Sequence, residues 1–211
     1  MRRSPADIVH EYGPYPNAEK VAGVTFDGRD IWFASDDRLN VVDPRSGELR
    51  RTLDVPANAG TAFDGRHLYQ IANDTIRKLD AKTGEVVATV PAPGTGLSGL
   101  AWAEGSLWVG VYRERRIYEI DPNSGAVLRT IESNRFVTGV TWADKELWHG
   151  TWEDEKSEIR RVDPANGEVA EVLEMPEGLV VSGLASDDQD RLFCGGGTSG
   201  KVRVVRKPRR D

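Results

Sequence analysis

Five segments of this chain can be laid under one another: GVTFDGRDIWFAS, GTAFDGRHLYQIA, GLAWAEGSLWVGV, GVTWADKELWHGT and GLASDDQDRLFCGG. Each of the first four is followed by a second motif, in turn NVVDPRSGELRRTLDVP, RKLDAKTGEVVATVPAP, YEIDPNSGAVLRTIES and RRVDPANGEVAEVLEMP. The aspartates that close strand-like runs in this second motif, Asp43, Asp80, Asp121 and Asp163, are spaced by 37, 41 and 42 residues. That period, with four short strand signals per unit, is the signature of a propeller blade.

Each unit reads as strands A to D. Strand A is the small segment that starts with glycine, such as GVTF, and a DG-like or EG turn leads into strand B, such as DIWFA. Strand C ends at the aspartate, where the following residues up to a glycine make the turn into strand D. No stretch of useful length carries a helical 3.6-residue period. The fifth unit lacks a strand D after VRVVRKP, but DIVHEYGPYP (7–16) matches GELRRTLDVP in length and pattern. Pairing the two ends of the chain would close the ring and hide both edges. The expectation is one all-β domain, a five-bladed β-propeller of four-stranded blades. The blades run about 21–56, 57–92, 97–133, 137–175, and 181–206 plus 7–16.

A length of 211 residues suits a single packed domain. The net charge of −6 argues against a nucleic-acid partner, which wants a basic surface. The tail KVRVVRKPRR gathers Lys201, Arg203, Arg206, Lys207, Arg209 and Arg210 but no aromatics that would stack bases, so it reads as a solvated terminus. No apolar run approaches the ~20 residues of a membrane span. MRRSPADIVHEYG is not followed by the apolar core of a signal peptide. A single cysteine, Cys194, excludes an internal disulfide. Together these point to a cytoplasmic, monomeric protein with a small-molecule substrate.

The A–B and C–D turns, on one face of a propeller, are uniform here; the B–C and D–A loops, on the other, vary. From the matched strand-B position to the aspartate the blades run Phe33 to Asp43 (10), Gln70 to Asp80 (10), Val109 to Asp121 (12) and His149 to Asp163 (14). Blades three and four thus carry the longer loops, YRERR and WEDEKSE, and function on scaffolded folds usually sits on such loops. Trp148 aligns with Trp32, Tyr69, Trp108 and Phe193 and is a packing aromatic; Trp152, at the loop start, is not.

The column Phe33, Gln70, Val109, His149, Cys194 is chemically mixed. One account makes it satisfied interior. The other makes His149 a general base or acid with Cys194 as neighbour or nucleophile, since blades four and five adjoin. Arg113 and Glu153 likewise read either as members of a surface ion-pair network or as an anion-orienting cation opposed to an acid–base carboxylate. Arg135 and Phe136, from ESNRFVTGV, enter the same sector. Tyr112, Trp152 and Phe136 would form an aromatic wall for a planar or apolar ligand, with Gln70 and Arg135 as polar contacts. No histidine or cysteine spacing fits a metal, and no cofactor is expected; a divalent cation would have only carboxylates such as Asp36, Asp37, Asp74 or Glu153.

HLYQIAND, SLWVGVYRERRIYEIDPNSGAVLRTI and the count of five units resemble the plant and bacterial type of glutaminyl-peptide cyclotransferase. More distantly, the units are similar to those of virginiamycin B lyase and gluconolactonase-type propellers, which have more blades. The cyclotransferase resemblance implies a five-bladed propeller that cyclises N-terminal glutamine. The family's Phe-Thr-Gln/Glu-Gly-Leu motif falls on VAGVTF, and its Tyr-Glu-Ser-Thr-Gly stretch on WFASD, so that Phe33 stands where the catalytic glutamate would be. A family-style Thr-Trp pair is present as Thr151–Trp152, in the fourth blade rather than the second. Strict glutamine cyclisation is therefore not expected. The leading expectation is proton-transfer chemistry of lyase or cyclotransferase type, with His149 as base, Arg113 stabilising charge, and Trp152 and Tyr112 stacking on substrate. The rival is a non-enzymatic ligand-binding or interaction propeller.

Overall fold

The computed structural model describes residues 1–16 and 18–209. Its strands in chain order begin with β1 (Arg2–Pro5) and β2 (Ile8–Tyr12). Blade one holds β3 (Gly23–Phe26), β4 (Ile31–Ser35), β5 (Arg38–Val42) and β6 (Leu49–Leu53). Blade two holds β7 (Thr61–Phe63), β8 (His67–Ala72), β9 (Thr75–Asp80) and β10 (Val86–Val90). Blade three holds β11 (Leu97–Ala103), β12 (Ser106–Val111), β13 (Arg116–Ile120) and β14 (Val127–Glu132). Blade four holds β15 (Phe136–Ala143), β16 (Glu146–Glu153), β17 (Lys156–Val162) and β18 (Val169–Glu174). Blade five holds β19 (Gly183–Ser186), β20 (Arg191–Gly195) and β21 (Val202–Arg206), with β2 as its outer strand. The chain is a five-bladed all-β propeller. No helix among the described residues is long and apolar enough to cross a membrane.

The glycine that opens each strand A explains how five sheets meet at one axis. A Cβ on Gly60 would lie 2.5 Å from the backbone nitrogen of Leu100, one on Gly99 2.6 Å from that of Val140, one on Gly139 2.8 Å from that of Leu184, and one on Gly183 2.5 Å from that of Val24. Gly23 completes the circle against Ala59 and Thr61. Only a residue without a side chain lets the inner strands approach this closely.

Farther out, the strand-B aromatic of one blade stacks on the strand-A aromatic of the next. Tyr69 meets Trp102 at 5.4 Å, Trp108 meets Trp142 at 5.4 Å, and Phe193 meets Phe26 at 5.5 Å. A cation lies over the strand-B ring in every blade: Arg51 on Trp32, Lys78 on Tyr69, Arg129 on Trp108, Arg161 on Trp148 and Arg191 on Phe193. The C–D turns are closed by the repeated aspartate. The backbone N–H groups of Arg45, Lys82, Asn123 and Ala165 donate to the Oδ1 atoms of Asp43, Asp80, Asp121 and Asp163.

The N-terminal strand closes the ring as the repeat pattern requires: β2 runs antiparallel to β21, from Ile8 opposite Val205 to Tyr12 opposite Val202. Tyr12 and Tyr15 then reach blade one, donating to the carbonyls of Pro44 and Gly47 at 2.6 and 3.1 Å. The basic tail is not a solvated terminus. Lys201 and Arg203 pair with Glu11, Arg206 with Asp7, and the buried Lys207 with Asp144. These cations hold the closing strand; Arg210 lies outside the described residues.

Blade four departs from the four-stranded pattern. β1 adds to β18 in parallel, with Arg2 opposite Glu171 and Pro5 opposite Glu174, and so gives this blade a fifth strand. Complementary charge favours the addition, since Arg3 pairs with both Glu158 and Glu174 at 2.7 Å. Pro5 stands where its missing N–H costs the ladder nothing, and the N–H of Ala6 makes the last bond, to the carbonyl of Glu174 at 2.8 Å. Removing residues 1–16 should therefore leave an unfolded chain, whereas removing 1–6 keeps β2 and should leave a folded, less stable propeller. Circular dichroism and size-exclusion chromatography of the two truncations check this, and a folded protein lacking 1–16 would refute the closure.

Candidate functional site

The strand-B column lies sealed between blades: Phe33, Gln70, Val109 and Cys194 are 0 % exposed and His149 is 2 % exposed. Valines from just before or at the start of the next strand A fill the space left by strand-B glycines. A Cβ on Gly150 would meet Val181 and one on Gly110 would meet Val137, while Gly195 faces Val21.

Within that column the polar groups turn to the neighbouring backbone. Gln70 Nε2 donates to the carbonyls of Ala59 and Ile71 at 3.0 and 2.8 Å, and its Oε1 accepts from Thr61 at 2.6 Å. His149 Nδ1 lies 3.3 Å from the carbonyl of Gly150. Burial, then the charge of Arg160, pushes the His149 pKa down to about 4, so the ring is neutral at physiological pH. Burial pushes the Cys194 thiol up to about 12, which leaves essentially no thiolate. The charges that act on the two groups differ: Arg160 and Glu158 for His149, Arg203 and Glu11 for Cys194. Phe33 stacks on Tyr15 at 5.1 Å.

The loop residues, by contrast, gather. Tyr112 and Phe136 stack at 4.7 Å, and Phe136 pairs in register with Trp152, so the three aromatics lie side by side. The cation on this wall is Arg115 rather than Arg113. It sits 4.4 Å over Phe136 and reaches Glu153 at 3.0 Å, while Arg113 is exposed in the preceding turn. Arg135 donates to the carbonyls of Glu153 and Lys156 at 2.9 and 2.8 Å, which fixes the turn between β16 and β17. Asp154 and Glu155 in that turn adopt φ of 48° and 60°, the left-handed region.

Beside this turn a cleft of about 1000 Å³ opens on blade four, lined by Trp152, Arg135, Lys156, Ser157, Met175 and Pro176 together with charged residues. Its wall is a charge cluster that pattern reading passed over. Glu158 is buried and bracketed by Arg3 and Arg160, both at 2.7 Å, and by Arg135 at 3.7 Å. Burial works against its charge. Hydrogen bonds from Arg3 and Arg160 and the charges of Arg160 and Arg135 outweigh that and hold the carboxyl below its ordinary value. The signal in the sequence was SEIRR in strand C, where two other blades read RLNVV and RIYEI. Arg3 carried no local signal, because its partners are 155 and 171 residues away.

The acids at the rim are less engaged. Asp154, Glu155 and Glu177 line the cleft without a hydrogen bond or ion pair of their side chains among the described residues; the lining cations are Lys156, Arg3 and Arg135, the last two turned to Glu158. Nowhere among those residues do three histidine, cysteine, aspartate or glutamate side chains gather where they could hold a metal ion. Asp74 spends its Oδ1 on the N–H groups of Gly96 and Leu97, both at 2.9 Å.

The fold is a five-bladed propeller with a charged cleft on its fourth blade. The structure is similar to the crystal structure of Myxococcus xanthus glutaminyl cyclase, with a TM-score of 0.80 over 97 % of each chain at 19 % identity. It also resembles part of a mitotic checkpoint complex, with a TM-score of 0.53 at 17 % identity over 90 % of this chain and 64 % of that one. No family model matches the sequence, and no curated protein does. These likenesses are likenesses of fold.

If Cys194 is sealed as described, a thiol reagent such as Ellman's should leave the native protein unlabelled at pH 8 and modify it only after urea unfolding. Rapid labelling of the native protein would place the thiol within reach of solvent.

Proposed function

We propose that this chain is a recognition propeller that binds a basic, partly apolar ligand in the blade-four cleft, rather than a proton-transfer enzyme of lyase or cyclotransferase type. The observation that carries the reading is the pairing of half-buried Trp152 with the unpaired rim acids Asp154, Glu155 and Glu177. Trp152, Met175 and Pro176 offer apolar and aromatic surface, and an aromatic face with nearby carboxylates suits an ammonium or guanidinium group. Glu158 is held by Arg3 and Arg160 at 2.7 Å, so these residues shape the wall, and the rim acids supply the attraction for a cation. Catalysis has less support. The only histidine in the loop-rich half of blade four is buried and neutral, and a phenylalanine packed on Tyr15 stands where the cyclotransferase resemblance would put a glutamate.

Two experiments on the intact chain separate the readings. In a cyclase the α-amine of an N-terminal glutamine attacks its own side-chain amide carbon and ammonia leaves. Incubation with a glutaminyl peptide should release none above background. The probe acetyl-Gly-Arg-Gly-amide should give a saturable change in tryptophan fluorescence that weakens with salt, and Trp152→Ala should lower its affinity roughly tenfold. Ammonia release by wild type, or no saturable response to the basic peptide, would overturn the reading.

A further inference from the structure

The strand-B indole is treated differently in blades one and four. In blade one Trp32 Nε1 donates to Asp27 Oδ2 at 2.7 Å. Asp27 directly follows the strand-A aromatic Phe26; in blade four the residue that follows Trp142 is Ala143. The built-in acceptor is gone. Trp148 is 2 % exposed, and its Nε1 is buried with no hydrogen-bond partner among the described residues. A buried donor left unpaired is costly, on the order of 1–3 kcal/mol, so an acceptor at Trp148 Nε1 would be stabilising.

The surroundings of Trp148 say which kind. A pocket of about 210 Å³ borders the indole, and it is lined by the cations Arg2, Arg161, Lys207 and Arg209 with the acids Asp144 and Glu171. Arg161 is engaged by Glu146 and Glu171, and Lys207 by Asp144 at 2.8 Å. Arg2 approaches Glu171 at 4.0 Å, so an anion between Arg2 and Arg209 would share Arg2 with the protein's own acids. The lining itself carries four cations and two carboxylates, and Glu146 on Arg161 and Asp188 beside Lys207 balance the charge from behind. Arg209, at the rim, has no ion pair among the described residues. The pocket also joins the two ends of the chain, since Arg2 belongs to β1 and Arg209 to the tail.

We propose that this pocket binds a small oxyanion, a phosphate or a carboxylate, which takes the place held in blade one by the carboxylate of Asp27 and accepts from Trp148 Nε1. The anion is clamped between Arg2 and Arg209 and so ties the fifth strand of blade four to the C-terminal tail. This site lies on the face of the A–B turns, apart from the cleft at Trp152, and stands or falls independently of it.

The test is a titration of the full chain with inorganic phosphate, and separately with acetate, at ionic strength held constant with sodium chloride. The readouts are the Trp148 indole 1H–15N resonance, assigned with Trp148→Phe, and the melting temperature. A saturable shift of that resonance with a rise in melting temperature supports the site. Response to phosphate alone names a tetrahedral anion, and equal response to acetate names a carboxylate. Ala143→Asp restores the internal acceptor and should abolish the response. Arg209→Ala, at an exposed position that leaves the fold intact, should weaken binding roughly tenfold, the worth of one charge-assisted hydrogen bond. A resonance that moves no more than it does in sodium chloride, or an Arg209→Ala variant that binds like wild type, would overturn the proposal.

Discussion

The close approach of five glycines around the axis is the constraint on which the rest of the propeller depends. With Gly23, Gly60, Gly99, Gly139 and Gly183 against the neighbouring inner strands, each blade is wedged at a fixed distance from the next. That distance brings strand-B aromatics onto strand-A aromatics at 5.4–5.5 Å and lets valines drop into the strand-B glycine positions. Interiors packed in this way leave no room for a substrate between blades. The same geometry that closes the ring buries His149 and Cys194 between blades and leaves the loops and outer strands as the accessible surface.

Blade four is where the repeat relaxes. It has the longest B–C span, a buried glutamate among arginines in strand C, an alanine where blade one has a capping aspartate, and a fifth strand borrowed from the N-terminus. A charge such as Glu158 cannot be buried unpartnered; removing one partner of a buried pair typically costs about 3–5 kcal/mol. Arg3 is one of those partners, which makes the first residues of the chain part of the blade-four cleft and of its stability together. Both binding surfaces inferred for this protein therefore lie where the chain departs from its own pattern, one above β1 and one below it.

The architecture was legible because it rests on repeated short-range signals: glycine-led inner strands and DG-like turns in five units, and aspartates that cap the C–D turns in four. Ring closure was legible too, since the missing outer strand had a matching segment at the other end. β1 was not. RRSP is four residues with a proline, and what docks it is charge on β18 and β17 more than 150 residues away. The tail was misread for the same reason: Glu11 lies 190 residues from Lys201, and no local pattern marks them as partners. The nearness of Tyr112, Phe136 and Trp152 to one another followed from loop alignment, and of the three it is Trp152 that lines the cleft. The side of strand B on which His149 falls did not, because it is decided by valines of the following blade.

The central claim is that the strand-B column is interior and chemically idle, and the ring of His149 reports on it directly. A pH titration followed by 15N NMR of the imidazole nitrogens in the native protein measures its protonation. The account predicts a neutral ring with no midpoint above about pH 5, consistent with a pKa near 4. Because that value lies below the unfolded one, His149 contributes no loss of stability above about pH 6.5 and increasing loss as pH falls toward 4. A midpoint near 6.5, the value of a solvated histidine, would contradict the account and return His149 to the place of a working acid or base.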